Sequence, residues 1–287
     1  MAWLQQSDHF DPDRLDVPVA GIAAEMGHHD SGFHQHKRGQ LLFTQQGCIK
    51  ITLANQISIL PPTRVAWIPP GTRHRAEMRG SVGYRSIYFD IDYLNTHYLL
   101  PSETAFFSTQ SEVLEATSLL QVLLERIATS SFDVDWYQGK GANLLAVFFD
   151  EIRDARREVT LLPLPFDRRL ARLSFEQLPP PLHRLAADVG ASEKTITRLF
   201  QRETGMNYQQ WRQQWRLVKA VELLVQNKTL SYVAQELGFS NDSAFVTFFR
   251  KAMGRPPREY INNDTPNISV NVDMRGAEIP YSKACQS

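Results

Sequence analysis

Between residues 17 and 93 the apolar residues come in short runs broken by turn formers. The runs are VAGIAAEM, QLLFTQQG, CIKITLAN, ISIL, RVAWIPPG, RHRAEM and GYRSIYFDI. They are rich in Ile, Val, Phe and Tyr, and Gly, Pro and Asn-Gln separate them. Several short strands at this spacing predict a small sandwich or barrel. From Ser111 the period changes. SEVLEATSLLQVLLERIA places Leu114, Leu120, Leu123, Leu124 and Ile127 on one side of a helix spanning 111–128. A second helix over 138–157 carries Leu144, Leu145, Phe148, Phe149 and Ile152. The two prolines of LLPLPF break helix and read as a linker. Everything from Asp167 to Ile261 is helical in pattern, and the polar, aperiodic end predicts a poorly ordered tail.

This divides the chain into a β-barrel (1–100), a helical region (101–160), a linker (161–171), an all-α domain (172–261) and a tail (262–287). Composition agrees with a globular protein: 43% hydrophobic and 22% charged. No apolar run approaches the ~18 residues of a membrane span. The N-terminus lacks the basic start and apolar core of a signal peptide. Cys48 and Cys285 form no metal or redox motif, which suits a reducing cytoplasm.

Charge changes the picture only when it is divided. The whole chain has 31 Lys+Arg and 31 Asp+Glu. A zero net charge argues against a nucleic-acid binder. Residues 167–261, however, hold 15 Lys/Arg against 9 Asp/Glu, a net of +6, which leaves −6 elsewhere.

The basic segment contains a degenerate repeat. LAADVGASEKTITRLFQRETG is similar to VAQELGFSNDSAFVTFFRKAMG. Each copy has a helix with a small contact residue (Ala186, Ala234), then Gly190 or Gly238, a Ser (Ser192, Ser240), a second helix and a closing Gly. The glycines suit the left-handed turn of a helix-turn-helix, and Ser192 suits an N-cap. Ile196 and Leu199, and Phe245 and Phe248, face the core at helical spacing. The remaining face is free for DNA. It carries Glu193, Lys194, Thr197, Arg198 and Arg202 in one copy. In the other it carries Asn241, Asp242, Ser243, Val246, Thr247 and Arg250. Between the copies, MNYQQWRQQWRLVKAVELLVQ is an apolar-striped linker helix whose Trp211 and Trp215 read as core.

With its closing GRPPREY, where Gly254, Pro257 and Tyr260 stand at the expected places, this segment resembles the AraC/XylS family of bacterial transcription regulators. The resemblance covers roughly 175–261. It implies two recognition helices in successive major grooves of promoter DNA. Lys194, Thr197 and Arg198, with Asp242, Ser243 and Thr247, would then face bases. Thr247 stands where many members carry a longer polar or basic residue, which implies that the second helix reads fewer bases.

The β-rich half carries His34-Gln35-His36 followed by Gln40 and Gly47, and Pro69-Pro70-Gly71-Thr72-Arg73-His74. These resemble the two cupin motifs, with Gln40 where metal-binding cupins have Glu. In a strand, positions i, i+2 and i+6 share a face, so His34, His36 and Gln40 point into a barrel and a neighbouring strand supplies His74. Three imidazoles and a carboxamide offer ligands for Zn, Ni or Fe. The same motif also serves as architecture or as a small-molecule pocket. Gln40 adds no neutralising charge, and Lys37 and Arg38 lie close by. An effector pocket would be lined by His34, His36, Gln40, Trp67 and His74, with Arg38 or Arg85 placed to pair with an anionic ligand. The apolar stripes of 111–128 and 138–157 fit a dimer interface, or simple packing on the barrel.

The expected architecture is therefore multidomain, with a cupin-like β-barrel and two helices followed by an all-α domain with two helix-turn-helix motifs. The function implied is a cytoplasmic, ligand-responsive regulator that is not an enzyme and requires no cofactor. It would bind double-stranded promoter DNA as a homodimer, respond to a small-molecule or metal effector, and touch RNA polymerase if it activates. The alternative is a metal-dependent cupin enzyme, a dioxygenase or isomerase. No paired acid and base accompanies the His cluster, and the twin motifs would then have no role. A non-specific architectural DNA binder is a third reading, and polar base-facing residues argue against it.

Overall fold

The computed structural model describes residues 3–5, 10–97, 109–158, 160–171, 173 and 175–261. The expected tail (262–287) and Cys285 lie outside them. Eight strands precede the first α-helix. They are β1 (Val19–Met26), β2 (His29–Asp30), β3 (Gly39–Thr44), β4 (Ile49–Leu53), β5 (Gln56–Leu60), β6 (Arg64–Ile68), β7 (His74–Met78) and β8 (Val82–Phe89). Then come α1 (Ile91–His97), β9 (Glu112–Glu115), α2 (Ser118–Ala128), α3 (Gly139–Asp154) and β10 (Leu162–Pro163). The helical half is α4 (Leu182–Asp188), α5 (Glu193–Thr204), α6 (Tyr208–Val225), α7 (Leu230–Glu236), α8 (Asp242–Met253) and α9 (Pro257–Ile261).

The strands form two five-stranded sheets, ordered β1-β8-β3-β6-β9 and β10-β5-β4-β7-β2. All named strand pairs are antiparallel. The pleat sorts the first sheet by alternation. Leu42, Ala66, Ile68 and Val82 join the core between the sheets with Ile49, Ile51 and Met78. Leu41, Phe43, Val65, Trp67, Ile87 and Phe89 project from the other face and are covered by α2 and α3.

The structure corrects the first helix expected at 111–128. Glu112–Glu115 is an edge strand that pairs with β6, with Leu114 opposite Val65. Val113 faces the barrel core and Leu114 faces the helices, so strand alternation fits this stretch. The helix begins at Ser118, capped by Thr117, whose hydroxyl accepts from the Leu120 amide at 3.1 Å. The apolar stripes of α2 and α3 are spent on the sheet: Leu120, Leu124, Ile127, Leu145, Phe148 and Ile152 are each fully buried there. Packing on the barrel therefore accounts for these residues. The approach is closest at Gly21 of β1, where a Cβ would stand 2.3 Å from the Ile127 carbonyl oxygen.

The linker is not free either. Leu162 pairs with Ile57, and the Trp211 indole donates to the Pro163 carbonyl at 2.6 Å. Ile59 and Leu162 of the barrel share one apolar core with Trp211, Trp215 and Val218 of α6, so the two halves are docked. Among the described residues, no helix is long and apolar enough to cross a membrane.

Gly21→Ala should lower stability by about 1–3 kcal/mol, because β1 or α2 must shift to admit the methyl group. A lower urea midpoint of tryptophan fluorescence would register the loss. An unchanged midpoint would show that α2 is not held against β1.

Candidate DNA-binding surface and effector cavity

The two helix-turn-helix units are α4–α5 and α7–α8. Their second helices are equal in length, 12 residues each, and start 49 positions apart, at Glu193 and Asp242. Their first helices start 48 apart, at Leu182 and Leu230, so the extra residue of the second copy lies in its turn. Gly190 (φ 65°) and Gly238 (φ 70°) adopt the left-handed conformation expected of them. Ser192 caps α5, accepting from the Thr195 amide at 3.1 Å. Because of the inserted residue, the counterpart of Ser192 is Asn241 and not Ser240. The Asn241 side chain accepts from the Ala244 amide at 2.9 Å. Ala186 and Ala234 are buried where the paired helices meet.

Packing decides which residues remain outward. Ile196, Leu199 and Phe200 bury one side of α5, and Phe245, Phe249 and Met253 one side of α8. Phe249, not Phe248, is the fully buried residue, while Phe248 packs partly against Phe239. On α5, Lys194 and Arg198 are exposed and Thr197 is half-buried. Glu193 stands in the first turn. Arg202 is outward but paired with the buried Glu203 at 2.7 Å. On α8, Ser243, Thr247 and Arg250 are exposed. Three expected contacts are otherwise engaged. Asn241 is a cap, Val246 packs partly into the core, and the Asp242 carboxylate accepts from the Ser231 hydroxyl at 2.7 Å. Lys251 and Gln201 also lie on the outer face, at the positions of their helices where the helical period places Arg202 and Arg250 in the other copy. Equivalence by the 49-residue offset would have found both.

The barrel encloses a cavity of about 480 Å³, lined by His34, His36, Gln40, His74, Tyr84, Tyr88 and apolar residues including Ile22, Leu42 and Met78. The histidines converge, but not on one continuous strand. His34 bridges to His74 of β7, a bend follows at Lys37–Arg38, and β3 begins only at Gly39. Ring centroids lie 4.3 Å apart for His34 and His74 and 5.1 Å apart for His36 and His74. Gln40 donates to the Ser86 hydroxyl (2.8 Å) and the Tyr88 hydroxyl (3.1 Å), and the register aligns it with Tyr88. Tyr84, Ser86 and Tyr88 alternate along β8, a period-two signal legible in the sequence.

Three expected pocket residues point elsewhere. Trp67 is on the outward face of β6, its ring over Gly39 in the core beneath α3. Arg38 donates to the carbonyls of Leu15 and Val17. Arg85 is paired with Glu25 and Glu125 on the outer face. The cavity lining therefore includes no Lys or Arg.

Each imidazole has its Nδ1 set against a backbone carbonyl: His34 on Gly32, His36 on Arg38 and His74 on Thr72. The His36 Nε2 is engaged by the Gln40 side-chain oxygen at 3.1 Å, which leaves the Nε2 of His74 without a partner. Among the described residues no three His, Cys, Asp or Glu side chains are placed to hold a metal ion together. Burial holds His36 and His74 below the usual histidine range, His74 at about 4. Burial also raises the Tyr84 and Tyr88 phenols. At neutral pH His36, His74, Tyr84 and Tyr88 thus offer uncharged hydrogen-bonding groups, beside the Asp11 and Asp30 carboxylates, which are paired with Arg14 and Arg75. The buried His74 Nε2 has no partner and faces the space a ligand would fill.

A histidine pushed down from 6.5 to about 4 resists protonation in the folded state. Stability is therefore lost as pH falls through 6.5, and the loss levels off below 4. His74→Gln should lose about 2 kcal/mol less than the unaltered chain between pH 7 and pH 5. Denaturant titrations at the two pH values measure this. Identical losses would place no depressed histidine at 74.

Comparison with known proteins accords with both halves. Residues 16–135 match the family described as AraC-like ligand binding domain, and residues 185–263 match a helix-turn-helix domain. The chain is similar to the HTH-type transcriptional regulator NimR of Escherichia coli strain K12, at 27% identity over 88% of this chain and 90% of that protein. It is also similar to the uncharacterized HTH-type transcriptional regulator YobQ of Bacillus subtilis strain 168, at 25% identity over 80% of this chain and 88% of that protein. Among solved structures, ToxT from Vibrio cholerae O395 aligns over 85% of this chain and 97% of its own, at 10% identity and a TM-score of 0.36. With a cupin-like ligand-binding barrel and two linked helix-turn-helix units on one chain, this protein belongs to the AraC/XylS family of transcriptional regulators.

Proposed function

We propose that the chain reads double-stranded promoter DNA with the outer faces of α5 and α8, and that a small molecule in the barrel alters that reading. The observation that carries this is the repetition itself. Two capped 12-residue helices each present a polar and basic face from an apolar frame. Lys194, Arg198, Thr247 and Arg250 are the residues we assign to contact, with Lys251 and Arg202 toward phosphates. Asn241 and Asp242 act through the cap and the α7 contact, holding α8 in place.

The effector that fits the cavity is polar and carries no negative charge, because imidazoles, phenols, an amide and two carboxylates meet it and no Lys or Arg does. The barrel acts as a sensor. The two carboxylates at its wall, Asp11 and Asp30, are held by Arg14 and Arg75 and are not free as acids or bases toward the imidazoles. A cupin enzyme would need a metal that these side chains are not arranged to hold. A bound effector shifts regulation only through a difference in affinity between two states of the protein.

We further propose a homodimer that joins through the solvent side of α2 and α3. Leu119, Val122 and Val147 remain about half exposed there, on helices whose opposite faces are already buried. RNA polymerase is a partner if the regulator activates.

The full chain should bind its own upstream region orders of magnitude more tightly than scrambled DNA at equal salt. Arg198→Ala should lose about 1–3 kcal/mol on that site and little on scrambled DNA. Equal losses on both would reduce Arg198 to a phosphate contact. Replacing Leu119 and Val122 with Glu should yield a monomer by sedimentation, with the barrel still folded. A dimer that survives both substitutions lies on another surface.

A further inference from the structure

The sensor and the second helix-turn-helix unit meet in a buried charged cluster that neither DNA reading nor the cavity uses. Tyr260 of α9 is fully buried. The Arg64 guanidinium lies 4.4 Å from its ring centroid and the Arg255 guanidinium 5.3 Å. Arg64 pairs with Glu158 at 3.2 Å, and Arg255 with Glu115 at 2.5 Å. Two cations and two anions thus cancel around one aromatic ring. Arg64, Glu115 and Glu158 belong to the sensor. Arg255 follows directly on Gly254, which ends α8, and Tyr260 stands in α9.

This contact is only partly hydrogen-bonded. Arg255 Nη2 donates to Glu115 and Arg64 Nη1 to the Thr63 carbonyl, while Arg64 Nη2 and Glu158 Oε1 face each other as the ion pair without hydrogen-bond geometry. These two atoms, Arg64 Nε, Arg255 Nε and the Tyr260 hydroxyl make no hydrogen bond. They are five of the nine such buried side-chain atoms among the described residues, and the Thr63 and Thr160 hydroxyls beside the cluster are two more. Unsatisfied buried groups cost free energy that water would return to them on opening. A fully hydrogen-bonded cluster would resist opening more strongly than this one. The apolar contact of α6 with Ile59 and Leu162 keeps the halves attached in either case.

We propose that the cluster is a latch. When closed, it holds the end of α8 against the sensor edge. When open, it lets the helical half, with α5 and α8 still fixed on α6, pivot about the α6 contact relative to the sensor. The proposal rests on the DNA-binding reading above for its consequence, though not for its geometry. β6 gives the cavity a route to it. Arg64 begins that strand, and Ile68 ends it opposite Gln40 in the cavity wall. The turn that follows leads to His74.

Hydrogen exchange on the full chain tests the latch. Glu158→Gln leaves Arg64 buried without a counter-charge. Amides of 112–115, 156–158 and 255–261 should then exchange at least tenfold faster, with those of β3 and β8 unchanged. Arg64→Met combined with Glu158→Leu replaces the pair by an apolar contact, and the same amides should exchange more slowly than in the unaltered chain. No local change in the first variant, or a uniform rise along the chain, would overturn the latch. If the first variant does not fold, an absence of slowing in the second overturns it. On promoter DNA the opened and locked variants should differ at least fivefold in affinity. Equal affinities with altered exchange would remove its regulatory role. Loss of specific binding by the unaltered chain would count against the DNA reading alone.

Discussion

The burial of α6 is the constraint on which both recognition helices depend. Nine of its residues, from Tyr208 to Leu224, are buried, so the helix has apolar contacts around most of its girth. Its aromatic residues also satisfy their polar atoms. Tyr208 donates to the Pro180 carbonyl, Trp211 to Pro163 and Trp215 to Phe175. These bonds fix the linker before the first unit, and the apolar core fixes α5 and α8 to one rod. The same rod packs on β5 and β10. The position of each DNA-facing helix is thereby referred to the barrel through one element.

The barrel is organised by a different economy of faces. The pleat of one sheet divides its side chains between a polar cavity and an apolar outer surface. Alternate residues of β8 show both uses: Tyr84 and Tyr88 line the cavity and Ser86 between them holds Gln40, while Ile87 and Phe89 meet α2 and α3. Covering the outer face consumes the apolar stripes of these helices. What remains exposed on them, Leu119, Val122 and Val147, is a separate set of residues with a separate use.

The twin motifs were legible because their signals are local chemistry. A glycine that must be left-handed and a side chain that caps a helix act within a few residues, and Gly190, Gly238 and Ser192 stand as expected. The convergence of His34, His36, Gln40 and His74 was also legible, although a bend at Lys37–Arg38 brings it about in place of one strand. What failed depended on distant pairing. Glu112–Glu115 has helix-forming residues, but hydrogen bonding to β6 outweighs propensity there. Trp67 looked like a pocket residue because nothing in RVAWI states which face of β6 meets the cavity. A one-residue insertion in the second turn moves the cap from Ser240 to Asn241, which the alignment of the two copies on their glycines does not show. The Arg64–Tyr260 contact joins residues nearly 200 positions apart and left no sequence signal.

If α6 holds two reading heads at a fixed spacing, the DNA the protein selects must show it. Selection by the full chain from a pool of random duplexes is the decisive measurement. The selected sequences should contain two conserved blocks whose centres lie about one helical turn apart, roughly 10 base pairs, with less conserved DNA between them. A single short block, or no enrichment over the starting pool, would contradict the arrangement.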